Sequence, residues 1–194
     1  MRYLITALLA ILATDAMAAE PSWSCTPEQR CVEEPGPTYD IGRGAKITLP
    51  SGWKFFSYPT APDPIMVGLR EIRAFKDGVV VAITPFPNID RRTIAEDWVN
   101  GIHTKAVARY VAQSKEKAIN MVSMSKGDIV GSYASFTATD ANEKPFAVLP
   151  NRRYSSVTSF MISHKFIIFS ISVASERLPD EAYVAAVDAI RNIQ

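Results

Sequence analysis

Cysteine and histidine are scarce in this sequence, which contains two of each among its 194 residues. A structural zinc site takes about four cysteine or histidine ligands, and His103 and His164 are far apart and lack the spacing of such a site. The sequence also lacks the Gly-x-Ser-x-Gly element that carries the nucleophile of many serine hydrolases. Because no catalytic or ligand pattern is recognisable, we expect a protein that is not an enzyme and needs no cofactor or metal.

Charge of one sign is not in excess either, since 21 Lys and Arg residues balance 20 Asp and Glu residues. The resulting net charge of +1 gives the protein no general attraction to nucleic acid or to an acidic membrane. Beyond the first 18 residues, no apolar run approaches the roughly 20 residues of a membrane span. The run at 166–174 has the length of a buried strand. We therefore expect no nucleic-acid partner and no transmembrane segment after removal of the leader.

The first 18 residues have the features of a cleaved secretory signal peptide. Arg2 gives a positive start, the stretch 4–13 is apolar, and residues 16–18, Ala-Met-Ala, form a small-x-small cleavage site. Asp15 ends the apolar stretch well short of a membrane span. An uncleaved anchor and a buried N-terminal helix are the alternatives. We expect export to the periplasm, with full secretion as the alternative location.

Export favours a disulfide between the two cysteines. Cys25 and Cys31 are separated by five residues, whereas a thioredoxin-type redox motif has two between its cysteines. In an exported protein a close, even pair is typical of a structural disulfide. Free or intermolecular thiols, and redox or metal chemistry, are the alternatives. The bridge would close a loop in an irregular N-terminal arm, 19–44, which is rich in Pro and Gly.

The remaining chain, 45–194, has the size of a single domain. The full sequence is 47% hydrophobic, which is enough for a core. Two short strands, 46–49 and 53–58, are predicted around a turn at 50–52. Two apolar runs flank Lys76-Asp77-Gly78, and Asp-Gly is a strong signal for a β-hairpin. Short β-like runs return after residue 120, with turns predicted at 126–128, 140–142 and 163–165.

Two segments have helical periodicity. In the first, apolar residues recur every four positions at Ile94, Trp98, Ile102, Ala106 and Tyr110, with Ala95 and Val99 beside them, which predicts a helix over 93–113. The second begins after Pro179, with Tyr183, Val184, Val187 and Ile190 as its apolar stripe. Strands grouped apart from helices indicate an α+β fold, in which a mostly antiparallel sheet carries a long mid-chain helix and a C-terminal helix.

This order of elements resembles the PsbP/Mog1-like α/β/α sandwich family, and most closely its DcrB-type bacterial periplasmic branch. The resemblance covers about residues 40–194 and depends on the segment from Ile47 to Trp53, with its "LPSGW", and on the end segment from Phe160 to Ile193. It implies a binding or accessory role in protein assemblies, and it carries over no catalytic residues. The Pro-rich loop at 59–64 and the cysteine pair have no counterpart in the family pattern.

The histidines and two of the tryptophans are interpreted without a catalytic role. His103 is expected on the flank of the first helix's apolar stripe, at an interface or exposed. His164 is expected at a solvated hairpin tip. Trp53 and Trp98 are both expected in the core.

Six residues are candidates for contact with a partner. Arg91 and Arg92 precede the first helix, and Arg152, Arg153 and Tyr154 begin a strand. Arg and Tyr are enriched at interaction hot spots, although solvated element ends would explain the same residues. The sixth candidate, Trp23, lies beside the cysteine pair, where it either packs the arm onto the domain or contacts a partner.

These observations predict an exported, non-enzymatic binding or accessory protein of the bacterial cell envelope that acts through contact with another envelope or secreted protein. One alternative is a periplasmic binder of a small molecule or lipid, with an apolar cleft between sheet and helix. The other is a periplasmic hydrolase whose site is assembled from residues distant in the sequence.

Overall fold

The computed structural model describes residues 32–34, 38–42, 44–59, 70–87, 96–140, 143–165, 167–177 and 180–193. The predicted signal peptide, both cysteines, Trp23 and the Pro-rich loop beyond Pro59 lie outside these ranges. The elements, in chain order, are β1 (Val32–Glu34), β2 (Thr38–Gly42), β3 (Ala45–Thr48), β4 (Lys54–Pro59), β5 (Arg70–Lys76), β6 (Val79–Pro87), α1 (Glu96–Val111), β7 (Val122–Lys126), β8 (Ile129–Thr137), β9 (Ser156–His164), β10 (Ile167–Ser175) and α2 (Glu181–Arg191).

Eight strands form one antiparallel sheet in the order β1-β4-β5-β6-β10-β9-β8-β7, and β2 and β3 form a separate pair. The α+β fold with a mid-chain helix and a C-terminal helix is thereby confirmed. The C-terminal hairpin β9–β10 lies in the middle of the sheet, where β10 pairs with β6 over nine residues. The protein's most apolar strands are therefore central.

The two helices cover opposite faces of this sheet. Helix α1 packs on β8 and β9, whereas α2 packs on β10, β6 and the small pair through β3. Strand β10 shows the division, because Ile171 and Val173 belong to the cluster under α2 while Ile168 and Ala174 belong to clusters on the α1 side. Since both faces are covered, all nine residues of β9 are buried, although side chains alternate between the faces.

The predicted hairpin between β5 and β6 is present. Asp77 and Gly78 both have positive φ, 50° and 79°. Two successive positive φ values are the signature of a type I′ turn, whose twist matches that of the flanking strands. The β5–β6 connection is therefore determined by the local Asp-Gly sequence.

The prediction of an irregular arm was wrong for the part of it that the structure describes. Strand β1 pairs with β4 at the edge of the large sheet, and β2 pairs with β3. Consequently β3 and β4, predicted as strands on either side of one turn, pair with other strands and not with each other. These short strands carry too few residues for a clear alternation, so tertiary pairing decides them.

Helix α1 was predicted correctly as an element, but its buried stripe differs from the predicted one. Its buried residues are Val99, His103, Val107 and Tyr110. Val99 and Tyr110 were in the predicted apolar set, whereas His103 and Val107 lie one position beyond the predicted Ile102 and Ala106. Trp98 is consequently 48% exposed, so its predicted core position was wrong, whereas Trp53 is buried as expected. The buried stripe has the polar His103 at its centre, so counting apolar residues along the helix predicted the neighbouring face instead.

Helix α2 begins where the sequence predicted. Asp180 is its N-cap, with Oδ1 accepting a hydrogen bond from the Tyr183 backbone N–H at 2.9 Å. Tyr183 and Ile190 are buried with Ala186, but Val184 is 51% exposed, which corrects the predicted stripe. Neither helix in the described part of the chain has the length and apolar character needed to cross a membrane.

Candidate functional site

An aromatic cluster holds the described part of the long β8–β9 connection, residues 138–140 and 143–155, against helix α1. The ring centroid of Tyr110 lies 5.5 Å from those of Phe136 and Phe146, with the Phe146 ring nearly perpendicular to it. Phe146 and Tyr154 exchange two backbone hydrogen bonds of 2.9 and 3.1 Å. The connection therefore folds back on itself and is held to the C-terminal end of α1 by buried rings.

A cleft of about 420 Å³ lies between the end of α1 and this connection, and we call it the cationic cleft. The helix side contributes Arg109, Tyr110 and Gln113, and the connection contributes Lys144, Pro145, Ala147 and Arg153. Three of these side chains carry positive charge, and of the described residues that line the cleft none is acidic.

The three cations differ in how firmly they are held. Arg109 Nη2 donates a hydrogen bond of 2.7 Å to Tyr110 Oη, and its Cζ lies 4.8 Å from the Tyr110 ring centroid. Lys144 Nζ is 3.4 Å from a carboxylate oxygen of Glu176. Arg153 is exposed, and within the described ranges neither it nor Arg109 forms an ion pair with a carboxylate. The guanidinium of Arg153 and the remaining N–H groups of Arg109 are therefore available to a ligand.

The structure separates the three residues predicted as one contact patch. Arg152 Nη1 donates to Glu176 Oε1 at 2.9 Å, so this arginine helps to attach the connection to the end of β10. Tyr154 is fully buried, and burial raises the pKa of its hydroxyl to about 12. Its side chain is therefore part of the core and not of a contact surface. Arg153 alone of the three is exposed, and it lines the cationic cleft.

His103 is fully buried, and its predicted position at an interface or exposed was wrong. Its ring nitrogens lie 2.9 Å from Ser132 Oγ and 3.1 Å from Ser159 Oγ, both on strands under α1. Burial lowers the imidazole pKa to about 4, so the ring is neutral at pH 7. Because the ring and both serines are buried, this group connects helix to sheet within the core.

His164 is also buried, contrary to the prediction of a solvated tip. Strand β9 continues through His164, which pairs with Ile167 on β10. The turn itself involves Lys165, with φ of 45°. In the described part of the chain, no three of the His, Cys, Asp and Glu side chains are grouped as metal ligands.

Two large aromatic side chains are exposed near the N-terminal end of α1, and we call them the aromatic surface. Phe86 is 47% exposed and Trp98 48%. Phe86 is the cross-strand partner of Ile168, and Ile168 packs against Val99, the chain neighbour of Trp98. Phe86 therefore lies across the sheet from a member of this apolar cluster, and Trp98 precedes another member in the chain. The candidates Arg91 and Arg92 fall in the segment between β6 and α1, outside the described residues.

A second cavity, of about 440 Å³, lies at the N-terminal end of α2. Its lining mixes Lys76 with the acids Asp77, Asp180 and Glu181. Lys76 Nζ donates to the Ser51 carbonyl at 2.9 Å, and Asp180 caps the helix. These two polar groups are thus already engaged in structural contacts.

Sequence reasoning found Arg153 but missed the other cations of the cleft. Arg109 lies on a helix whose buried face was predicted incorrectly, and Lys144 lies in a segment without periodicity, so neither residue was recognised from the sequence. Only the folding of the connection onto α1 brings them together.

Comparison of the chain with protein-family models, with curated proteins and with solved structures finds no match. The resemblance to the PsbP/Mog1-like family therefore stays a prediction from the order of the elements.

Proposed function

We propose that this protein is an exported, non-enzymatic binding or accessory protein of the cell envelope, which acts through contact with another protein at the aromatic surface. The observation that carries the proposal is the exposure of two large aromatic side chains, Trp98 and Phe86, which adjoin members of one apolar cluster in the chain and across the sheet. Burying a large aromatic ring in an interface is strongly favourable, and Trp is among the residues most enriched at binding hot spots.

Two sequence features support this proposal. The first 18 residues have the pattern of a secretory signal, which supports a role in the envelope. Arg91 and Arg92 lie in the segment that joins β6 to α1, hence between the two aromatic residues in the chain. Arg combined with Trp is the composition expected of an interaction hot spot.

Affinity purification from envelope extract tests the proposal with tagged wild-type protein and the Trp98→Ala and Phe86→Ala variants. We expect one protein to be recovered reproducibly with the wild type and to be depleted about tenfold or more with Trp98→Ala, because hot-spot truncation costs about 2 kcal/mol or more. Val184→Ala is the matched control, since Val184 is 51% exposed on the other helix. Equal recovery with all four proteins, or with none, would contradict the proposal.

A second candidate function, binding of a small molecule, is favoured by the cationic cleft. Its volume of about 420 Å³ falls within the roughly 300–1,000 Å³ range of ligand pockets. The charged lining differs from the apolar cleft expected from the sequence. For the hydrolase alternative, the histidine that bonds two serines is buried with them, so this group does not support that alternative.

A further inference from the structure

The charged side chains that line the cationic cleft are all hydrogen-bond donors. Arg109, Arg153 and Lys144 are cationic and donate without accepting. Tyr110 Oη accepts a hydrogen bond from Arg109, which leaves its own proton to donate. Gln113 supplies an amide with two further donors. A ligand that satisfies this lining must be rich in acceptors and negatively charged.

The C-terminal end of α1 does not oppose an anion as strongly as an uncapped helix end would. Helix C-termini carry partial negative charge on their unsatisfied carbonyls. Here the Tyr110 carbonyl accepts from the Gln113 N–H at 3.2 Å, and the Val111 carbonyl accepts from the Ser114 N–H at 3.2 Å. The Ala112 carbonyl accepts from Lys117 Nζ at 3.4 Å. These three carbonyls at the end of the helix are therefore already hydrogen-bonded.

The charge and shape of the cationic cleft indicate which class of ligand it can bind. Lys144 forms an ion pair with Glu176, so the two arginines supply most of the positive charge available to a ligand. Guanidinium groups bind oxyanions through paired N–H donors, which favours phosphoryl and carboxylate groups. Pro145 and Ala147 add an apolar wall, and the cleft has room for more than a single inorganic ion.

We propose that the cationic cleft binds a small organic dianion whose charges are carried by oxyanion groups, with Arg109 and Arg153 as the principal ligand-binding residues. Phosphate monoesters and dicarboxylates share this chemistry. This site lies at the opposite end of α1 from the aromatic surface and does not depend on it.

Calorimetric titration of the purified protein at low ionic strength tests the proposal, with glycerol 3-phosphate and succinate as separate probes and glycerol as the neutral control. We expect one or both dianions to bind and glycerol not to bind. Which dianion binds more tightly identifies the group that the cleft prefers. Affinity should fall as salt is added, because both charged partners are exposed to screening.

Charge-removing variants connect any binding to the cleft. Arg109→Gln and Arg153→Gln are each expected to weaken binding about tenfold or more, since each removes charge-assisted hydrogen bonds. Lys126→Gln removes an exposed cation on β7 that does not line the cleft, and it should bind like the wild type. All three substitutions are at exposed positions, so thermal unfolding is expected to show intact proteins.

Absence of binding by both dianions at about 10 mM, a concentration that detects even millimolar Kd values, would overturn the proposal. So would an equal loss of affinity in Lys126→Gln and the two arginine variants, which would indicate only general attraction to surface charge. Trp98→Ala should retain dianion binding, so failure of the partner experiment and failure of this one are distinguishable.

Discussion

At the scale of single residues, His103 is a neutral imidazole held between two strands and a helix. Both ring nitrogens are hydrogen-bonded to serine hydroxyls, so one donates and the other accepts. A buried polar group is tolerated only when it is bonded in this way. The hydrogen bonds of His103 therefore stabilise one packing position of α1 on β8 and β9, as long as the ring stays uncharged.

Acid is expected to destabilise the protein through this residue. Burial lowers the His103 pKa from 6.5 to about 4, so between these values the unfolded chain binds a proton that the folded protein does not. Stability is then lost as pH falls below 6.5, by about 2–3 kcal/mol between pH 7.5 and 4.5. Urea unfolding at the two pH values measures this change.

The His103→Gln variant supplies the comparison, because glutamine has a donor and an acceptor but does not titrate in this range. We expect a smaller loss of stability on acidification in this variant than in the wild type. His164→Asn should retain the His103 contribution. An unchanged pH dependence in His103→Gln would refute the assignment.

At the scale of elements, two glycines have opposite roles. In β8, a Cβ on Gly131 would collide with the backbone of β9, at the Met161 carbonyl and 2.8 Å from Ile162 Cα. Gly101, within α1, is exposed and has nothing within 4 Å of a Cβ position. The first glycine is thus required by strand packing, whereas the second only weakens its helix.

Alanine substitutions at these two positions should therefore change stability in opposite directions. Gly131→Ala is expected to destabilise the fold by about 1–3 kcal/mol or more, as overpacking does. Gly101→Ala is expected to stabilise it by about 0.5–1 kcal/mol. Denaturant midpoints measure both, and a stable Gly131→Ala protein would show that the two strands separate more easily than this packing allows.

The N-cap of α2 is expected to stabilise the protein. Asp180→Ala removes the hydrogen bond to the Tyr183 N–H and should lower stability by about 1 kcal/mol. Asp188 is the control, because its side chain forms only an exposed ion pair with Arg191, which contributes little. If both alanine variants unfold at the same denaturant concentration, the capping interaction does not stabilise the helix.

The elements differ in how far the sequence could predict them. The β5–β6 hairpin and both helices have local signals, namely Asp-Gly and a 3.6-residue period, and the structure confirms them. Strands β1 and β2 have none, because they are short and their pairing partners are decided by the whole sheet. The cationic cleft could not be predicted from the sequence either. Arg109 and Lys144 come together only when Tyr110, Phe136 and Phe146 pack against one another.

At the scale of the whole molecule, helix α1 carries both proposed sites on one face of the sheet. Trp98 is in its first turn and Arg109 in its last, so the aromatic surface and the cationic cleft are about 16 Å apart along the helix. His103 lies between the two sites in the buried stripe of α1. The packing of this one helix on the sheet therefore positions both sites. The opposite face carries α2 and the β2–β3 pair.

Site-specific photo-crosslinking in living cells tests whether a partner protein contacts the aromatic surface. A benzophenone amino acid in place of Trp98 should give one discrete protein adduct, and the same group in place of Val184, equally exposed on α2, should give none. No adduct from position 98, or the same adducts from both positions, would contradict the claim.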